Sequence, residues 1–199
     1  MVFKTPIGTD LVQKFKFTHF LKKQVPYTIR VERLGPGAKV VTTTTKDPKD
    51  KPTGKEKGPI PADFIPDVQT ITVPAATSYE GIDQEIGIKF EPSTLGESRG
   101  ILVITSPEGG EYQCLLIGTA SPPVPKGPIK IGPKSVSVEF KNPFFEPAQF
   151  TIRLDNPCFT TTAKTITPAD AKKVINVPIT FKPVPGYLPT GRLIIQAGK

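Results

Sequence analysis

One histidine, two cysteines and a run of lysines are the residues of this chain that could do chemistry. His19 stands alone as a side chain of the type that titrates near neutrality, so it is the obvious candidate for a general base. No serine or cysteine shows a recognisable arrangement with it. It lies among aromatic residues in Phe17-Thr18-His19-Phe20, where a polar residue at a strand end reads as structural. Cys114 and Cys158 have no metal-ligand partner at a useful spacing. They read as free thiols of a reducing compartment, a bridge between them being the alternative. Gly109-Gly110 fits a hairpin and Gly35-Pro36-Gly37 a loop with no helix behind it, so neither cradles phosphate. The acidic residues carry no calcium-loop spacing. No catalytic residue, cofactor or metal is expected, and an enzyme is the least supported class.

Charge offers a second kind of chemistry. The chain carries +8, and residues 33–62 hold seven basic against three acidic side chains, +4 in all. Lys46, Lys49, Lys51, Lys55 and Lys57 could touch an acidic partner such as a tubulin tail, nucleic acid or an anionic membrane. The lysines are interleaved with Asp47, Asp50 and Glu56, and no aromatic residue stands ready to stack on a base. Nucleic acid is therefore not expected, and solvation of a loop is the plainer role. Arg30 and Arg153 occupy matching places in two similar segments; outward-facing strand arginines bonded across the sheet account for them.

Those segments reveal how the chain is organised. Phe17 to Glu32 matches Phe140 to Asp155 at an offset of 123, with Thr-Ile-Arg in common and His19 on Asn142. Residues 88–92 match 179–183 at an offset of 91, which also sets Gly100 on Gly191 and Ile104 on Ile195. The chain is two copies of one unit. The difference, 32 residues (123 − 91), predicts an insertion over about 34–65, rich in Gly, Pro, Thr and Lys and expected to be largely disordered.

Alternating apolar positions in 12–17, 27–31, 68–73 and 86–90, and the continuous run of 100–105, read as strands. Ser135–Phe140, Gln149–Asp155, Lys173–Phe181 and Gly191–Gln196 repeat them. Only Pro168–Lys173 hints at a helical turn. Short strands with turn signals at this spacing predict an all-β fold of two tandem antiparallel sandwiches. The first would span 1–121, a proline-rich linker 122–128, and the second 129–199. Lys199 falls on Glu108, so the second copy is expected to lack its last strand, whether cut short or supplied by another chain. No secretory signal opens Met1–Asp10 and no apolar stretch reaches membrane-spanning length, which predicts a soluble intracellular protein.

A family resemblance rests on several motifs in order: Phe90-Glu91-Pro92 followed by Leu95, Gly96, Gly100 and Leu102; the segment Gly110 to Gly118; the junction 122–131; and the two Asn-Pro segments, 140–144 and 155–159. Together they resemble the immunoglobulin-like modules of the major sperm protein, ASH and hydin group, most nearly the hydin-type proteins of the ciliary central apparatus. The resemblance implies a PapD-like sandwich pair in a non-enzymatic scaffold of the cilium or flagellum axoneme. Its implied partners are other central-apparatus proteins, microtubules and neighbouring modules of the same chain, without a membrane span. A peptide-binding adaptor at membrane contacts and a PapD-like chaperone share the fold. The first would need a basic groove that no residues here match, and the second a signal sequence.

Overall fold

A computed structural model describes residues 1–34, 63–132 and 135–197. They fall into two compact units, Met1–Ser121 and Pro122–Lys199. Unit 1 holds β1 (Val2–Pro6), β2 (Leu11–His19), β3 (Val25–Leu34), β4 (Phe64–Pro66), β5 (Thr70–Val73), β6 (Ile82–Phe90), β7 (Gly96–Ser106) and β8 (Gly110–Ser121). Unit 2 holds β9 (Val136–Lys141), β10 (Ala148–Leu154), β11 (Phe159–Thr160), β12 (Thr165–Ala169), β13 (Val174–Phe181) and β14 (Leu193–Ala197). The described residues include no helix.

In unit 1 a five-stranded sheet, β1-β8-β7-β3-β5, faces a three-stranded one, β2-β6-β4. All pairs are antiparallel except β1 on β8. The chain changes sheets inside residues 64–73: β4 edges β6, and β5 edges β3. Unit 2 has sheets β12-β10-β14 and β11-β13-β9, with the same sheet change between β11 and β12. Both units are immunoglobulin-like sandwiches.

The ladders reproduce the sequence offsets residue by residue. Phe17 pairs with Gln84 and Phe140 with Ile175; Ile29 pairs with Ile104 and Ile152 with Ile195. Thus β9, β10, β13 and β14 are the counterparts of β2, β3, β6 and β7.

The sheet-changing strands correct the expectation of one 32-residue insertion. Phe64 pairs with Phe90 as Phe159 pairs with Phe181, an offset of 95. Only 28 residues of the difference (123 − 95) therefore lie before Phe64. The remaining four (95 − 91) are the net of a connection between β5 and β6 that is five residues longer in unit 1 and of the one extra residue in the β12 bulge of unit 2: eight residues, 74–81, join Val73 to Ile82. In unit 2 three residues, 170–172, do so between Ala169 and Lys173. The hint of a helical turn at 168–173 does not develop into one. Residues 168–169 finish β12, where Ala169 pairs with Ala148 across a bulge, and a tight turn follows with Lys172 at φ 57°. Ladder pairing outweighs so short a helical tendency.

The core follows from alternation. Val25, Tyr27 and Ile29 of β3 point inward, while Pro26, Thr28 and Arg30 face out. Phe3, Phe64 and Phe90 pack together with ring centroids 4.9–5.8 Å apart, all three buried. Each such side chain contributes about 1.5–3 kcal/mol by leaving water. Gly118 of β8 lies against Phe90: a Cβ there would come within 2.3 Å of the ring.

Asp63 pins the entry to β4. Its buried carboxylate accepts from Ser93 N (3.2 Å), Ser93 Oγ (3.0 Å) and Ser98 Oγ (2.5 Å), and its carbonyl from Glu91 N (2.8 Å).

Candidate interaction surface

Three connections of unit 1 converge at one end of its sandwich. Val25 pairs with Val73, His19 with Ile82, and Ser106 with Gly110, which brings together residues 20–24, 74–81 and 107–109. His19 plugs this end and is fully buried. Its Nε2 lies 3.1 Å from the Lys23 carbonyl and its Nδ1 2.8 Å from Tyr27 Oη. A carbonyl only accepts, so Nε2 carries the proton, and in the neutral ring Nδ1 then accepts from the Tyr27 hydroxyl. The Gly109 carbonyl is 3.4 Å from the same hydroxyl. Tyr112 Oη donates to the Thr18 carbonyl at 2.8 Å, and Lys23 is ion-paired to Glu108. Burial, with Tyr112 close by, pushes the Tyr27 phenol up to about 12. Tyr27 is thereby kept as a neutral donor. With both ring nitrogens committed, His19 is a structural member of the fold.

Asn142, its counterpart, is also fully buried. Its Nδ2 donates to the carbonyls of Glu146, Ala169 and Asp170 at 3.0–3.1 Å, and its Oδ1 accepts from Phe144 N at 2.9 Å. Glu146 is the counterpart of Lys23, so both plugs bind the carbonyl four residues on. Asn156 makes a second turn of this kind, with Oδ1 accepting from Cys158 N at 2.8 Å.

The aromatic residues differ between the two ends. In unit 2 Phe144 stacks on buried Phe150, and Lys172 Nζ sits 4.1 Å over the Phe145 ring, so both rings are half-buried lids. Phe159 packs on Phe181 and joins the core. In unit 1 Phe20 is 61% exposed and Tyr79 92% exposed, with Lys22 Nζ 5.2 Å over the Tyr79 ring. Tyr79 lies in the connection that is longer than its unit 2 equivalent. Displayed aromatics on loops held by a rigid sandwich are the usual anchors of protein interfaces. Sequence reading missed this surface because the extra residues of 74–81 were assigned to the earlier insertion.

The lysines singled out from sequence, Lys46, Lys49, Lys51, Lys55 and Lys57, lie outside the described residues. Arg30 faces outward, bonded to Glu32 Oε1 (2.9 Å) and Thr105 Oγ1 (3.4 Å) on the neighbouring strand. Arg153 is exposed on β10 opposite Ile194. Both cysteines are free thiols, Cys158 buried and Cys114 half-buried. Among the described residues no three His, Cys, Asp or Glu side chains cluster as metal ligands, and no helix is long and apolar enough to cross a membrane.

The fold and its surfaces define a tandem pair of immunoglobulin-like sandwiches. The chain is 41% identical to the human hydrocephalus-inducing protein homolog over 104 residues, and 38% identical to mouse hydrocephalus-inducing protein over the same length. The match covers 51% of this chain and 2% of either relative, so the chain spans a small fraction of the proteins it resembles. No family profile matches. Solved structures of similar layout include the CFA/I fimbrial chaperone–tip adhesin complex (TM-score 0.39, 9% identity, 98% of this chain and 95% of that one). The CupB2 chaperone of Pseudomonas aeruginosa is another (TM-score 0.36, 11% identity, 98% and 96%).

Proposed function

We propose that the chain is a non-enzymatic scaffold and protein-interaction pair belonging to a motile-cilium axoneme, within the central apparatus. The similarity to hydrocephalus-inducing protein carries this reading, because the hydin group it points to is built from modules of this kind. The partners are other central-apparatus proteins and neighbouring modules, met by surface complementarity and by strand edges. Phe20 and Tyr79 supply an aromatic contact on unit 1. Lys46, Lys49, Lys51, Lys55 and Lys57 supply charge toward acidic microtubule surfaces.

Expression of the tagged chain in ciliated cells tests the setting: it should follow the axoneme and stay there after detergent extraction. A diffuse, fully extracted signal would remove the axonemal reading. Co-sedimentation with microtubules at low salt tests the lysines. Glutamine at all five positions should lower the pelleted fraction, and an unchanged pellet would exclude them as contacts.

A further inference from the structure

The two outer faces of unit 1 are built differently. On β2 and β6 the outward positions carry ion pairs, Lys14 with Glu85 at 2.8 Å and Lys16 with Asp83 at 2.6 Å. The five-stranded sheet turns apolar side chains outward instead. Leu102, Ile104 and Leu116 fill the core, so alternation sends Ile101, Val103, Leu115 and Ile117 to the other face. Among the described residues none of these four joins the core cluster. They are contiguous: Ile101 pairs with Leu115, Val103 follows Ile101 along β7, and Ile117 follows Leu115 along β8. Leu115 is 38% exposed, and Ile101 and Ile117 are half-buried.

Charged side chains border this patch in alternating order. The ladder rows set Glu97 beside Thr119, Arg99 between Ile117 and Leu34, Glu32 beside Ile101, and Arg30 beside Val103. Along the strands the order runs acid, base, acid, base. Within the unit they pair two by two, Arg99 with Glu97 at 2.5 Å and Arg30 with Glu32 at 2.9 Å. Such an order is self-complementary. Consider a twofold axis that crosses the strands between the Ile117 row and the Leu115 row. It brings Glu97 level with Arg30 of the other copy, Arg99 level with Glu32, and Ile117 over Leu115.

We propose that this face associates with the same face of a second copy of the chain, related by that axis. A partner of one charge sign meets two like charges among the four, whereas a second copy meets an opposite charge at each. From β1 to β3, strands about 4.8 Å apart and outward rows about 6.8 Å apart give roughly 500 Å² from each copy. That is less than the roughly 800 Å² per partner of a stable complex, so the dimer is weak and forms at high protein concentration. It follows from the face of unit 1 alone and does not depend on the ciliary setting.

The test uses the full chain in solution. Sedimentation equilibrium should show monomer and dimer in exchange, and amide shifts that move with concentration should cluster in 30–34, 97–105 and 111–117. A monomer up to millimolar concentration overturns the proposal. So do shifts confined to Phe20 and Tyr79, to β2 and β6, or to unit 2, which assign the association to another surface. Leu115→Lys should raise the dissociation constant about tenfold or more while leaving the thermal midpoint in place. An unchanged constant overturns the proposal. Charge reversal tests the axis itself. Arg99→Glu alone and Glu32→Arg alone should each weaken the dimer, because each sets like charges opposite one another twice. An equimolar mixture of those two variants should associate again, since every facing pair in the mixed dimer is opposite in sign. A mixture no tighter than either variant alone overturns the twofold arrangement. Where a variant fails to fold, the concentration-dependent shifts of the unaltered chain decide.

Discussion

The hydroxyl of Tyr27 and the imidazole of His19 form one buried hydrogen-bonded pair, 2.8 Å between Oη and Nδ1, and unit 2 replaces both members together. Phe150 stands at the Tyr27 position without a hydroxyl, and Asn142 at the His19 position spends its amide on carbonyls and one N–H. The two solutions are internally consistent, since a buried hydroxyl needs an acceptor and a phenyl ring does not.

A double-mutant cycle follows from that pairing. His19→Asn can keep a donor for the Lys23 carbonyl but leaves the Tyr27 hydroxyl only the longer contact to the Gly109 carbonyl, at a cost of about 1–3 kcal/mol. Tyr27→Phe alone leaves Nδ1 unpaired at a similar cost. The double variant reproduces the unit 2 pair and should lose clearly less than the two single losses added together, by denaturant unfolding. Strict additivity would mean that the two side chains are energetically independent.

Alkaline titration examines the same residue differently. Burial first, and Tyr112 second, raise the folded-state value of Tyr27 to about 12, above the unfolded value of about 10. The raised value favours the neutral phenol in the fold. The stability it contributes is intact below about pH 10 and is lost as pH rises through about 12. Tyrosinate absorbance should show a late step that coincides with unfolding, and Tyr27→Phe should abolish it.

Much of this was legible in sequence because ladder registers are local consequences of pattern. The shared Thr-Ile-Arg places β3 and β10 on one template, and alternating burial follows from it. The Asn-Pro pairs at 142–143 and 156–157 mark turns closed by an Asn oxygen. What was hidden depends on residues far apart in the chain. Nothing near Asp63 announces that Ser93 and Ser98 will surround its carboxylate. The longer connection 74–81 was invisible because an alignment with one gap charges all its missing residues to one place.

Close packing at Gly118 gives a third expectation. An Ala there meets a Phe90 ring already held between Phe3 and Phe64, so it must displace an aromatic cluster rather than a flexible chain end. Overpacking of this kind costs about 1–3 kcal/mol. Phe90→Leu in the same chain should recover part of the loss, since it removes the ring that the methyl strikes. A Gly118→Ala protein with an unchanged melting midpoint would show that the two strands can separate without penalty.

Asp63 gives the last. Its carboxylate joins the entry of β4 to the connection between β6 and β7, through the Ser93 N–H and hydroxyl, and to β7 itself, through the Ser98 hydroxyl. Asp63→Ala strands Ser93 N and both hydroxyls in a buried site and should cost about 2–4 kcal/mol. Asp63→Asn keeps one oxygen as acceptor but replaces the other with a donor facing Ser93 or Ser98. The serine hydroxyls can rotate to accept from it, whereas the backbone N–H cannot. Asn should therefore fall between wild type and Ala in unfolding free energy. An Asn variant as unstable as Ala would show that the charge of the carboxylate, rather than its count of acceptors, holds this corner together.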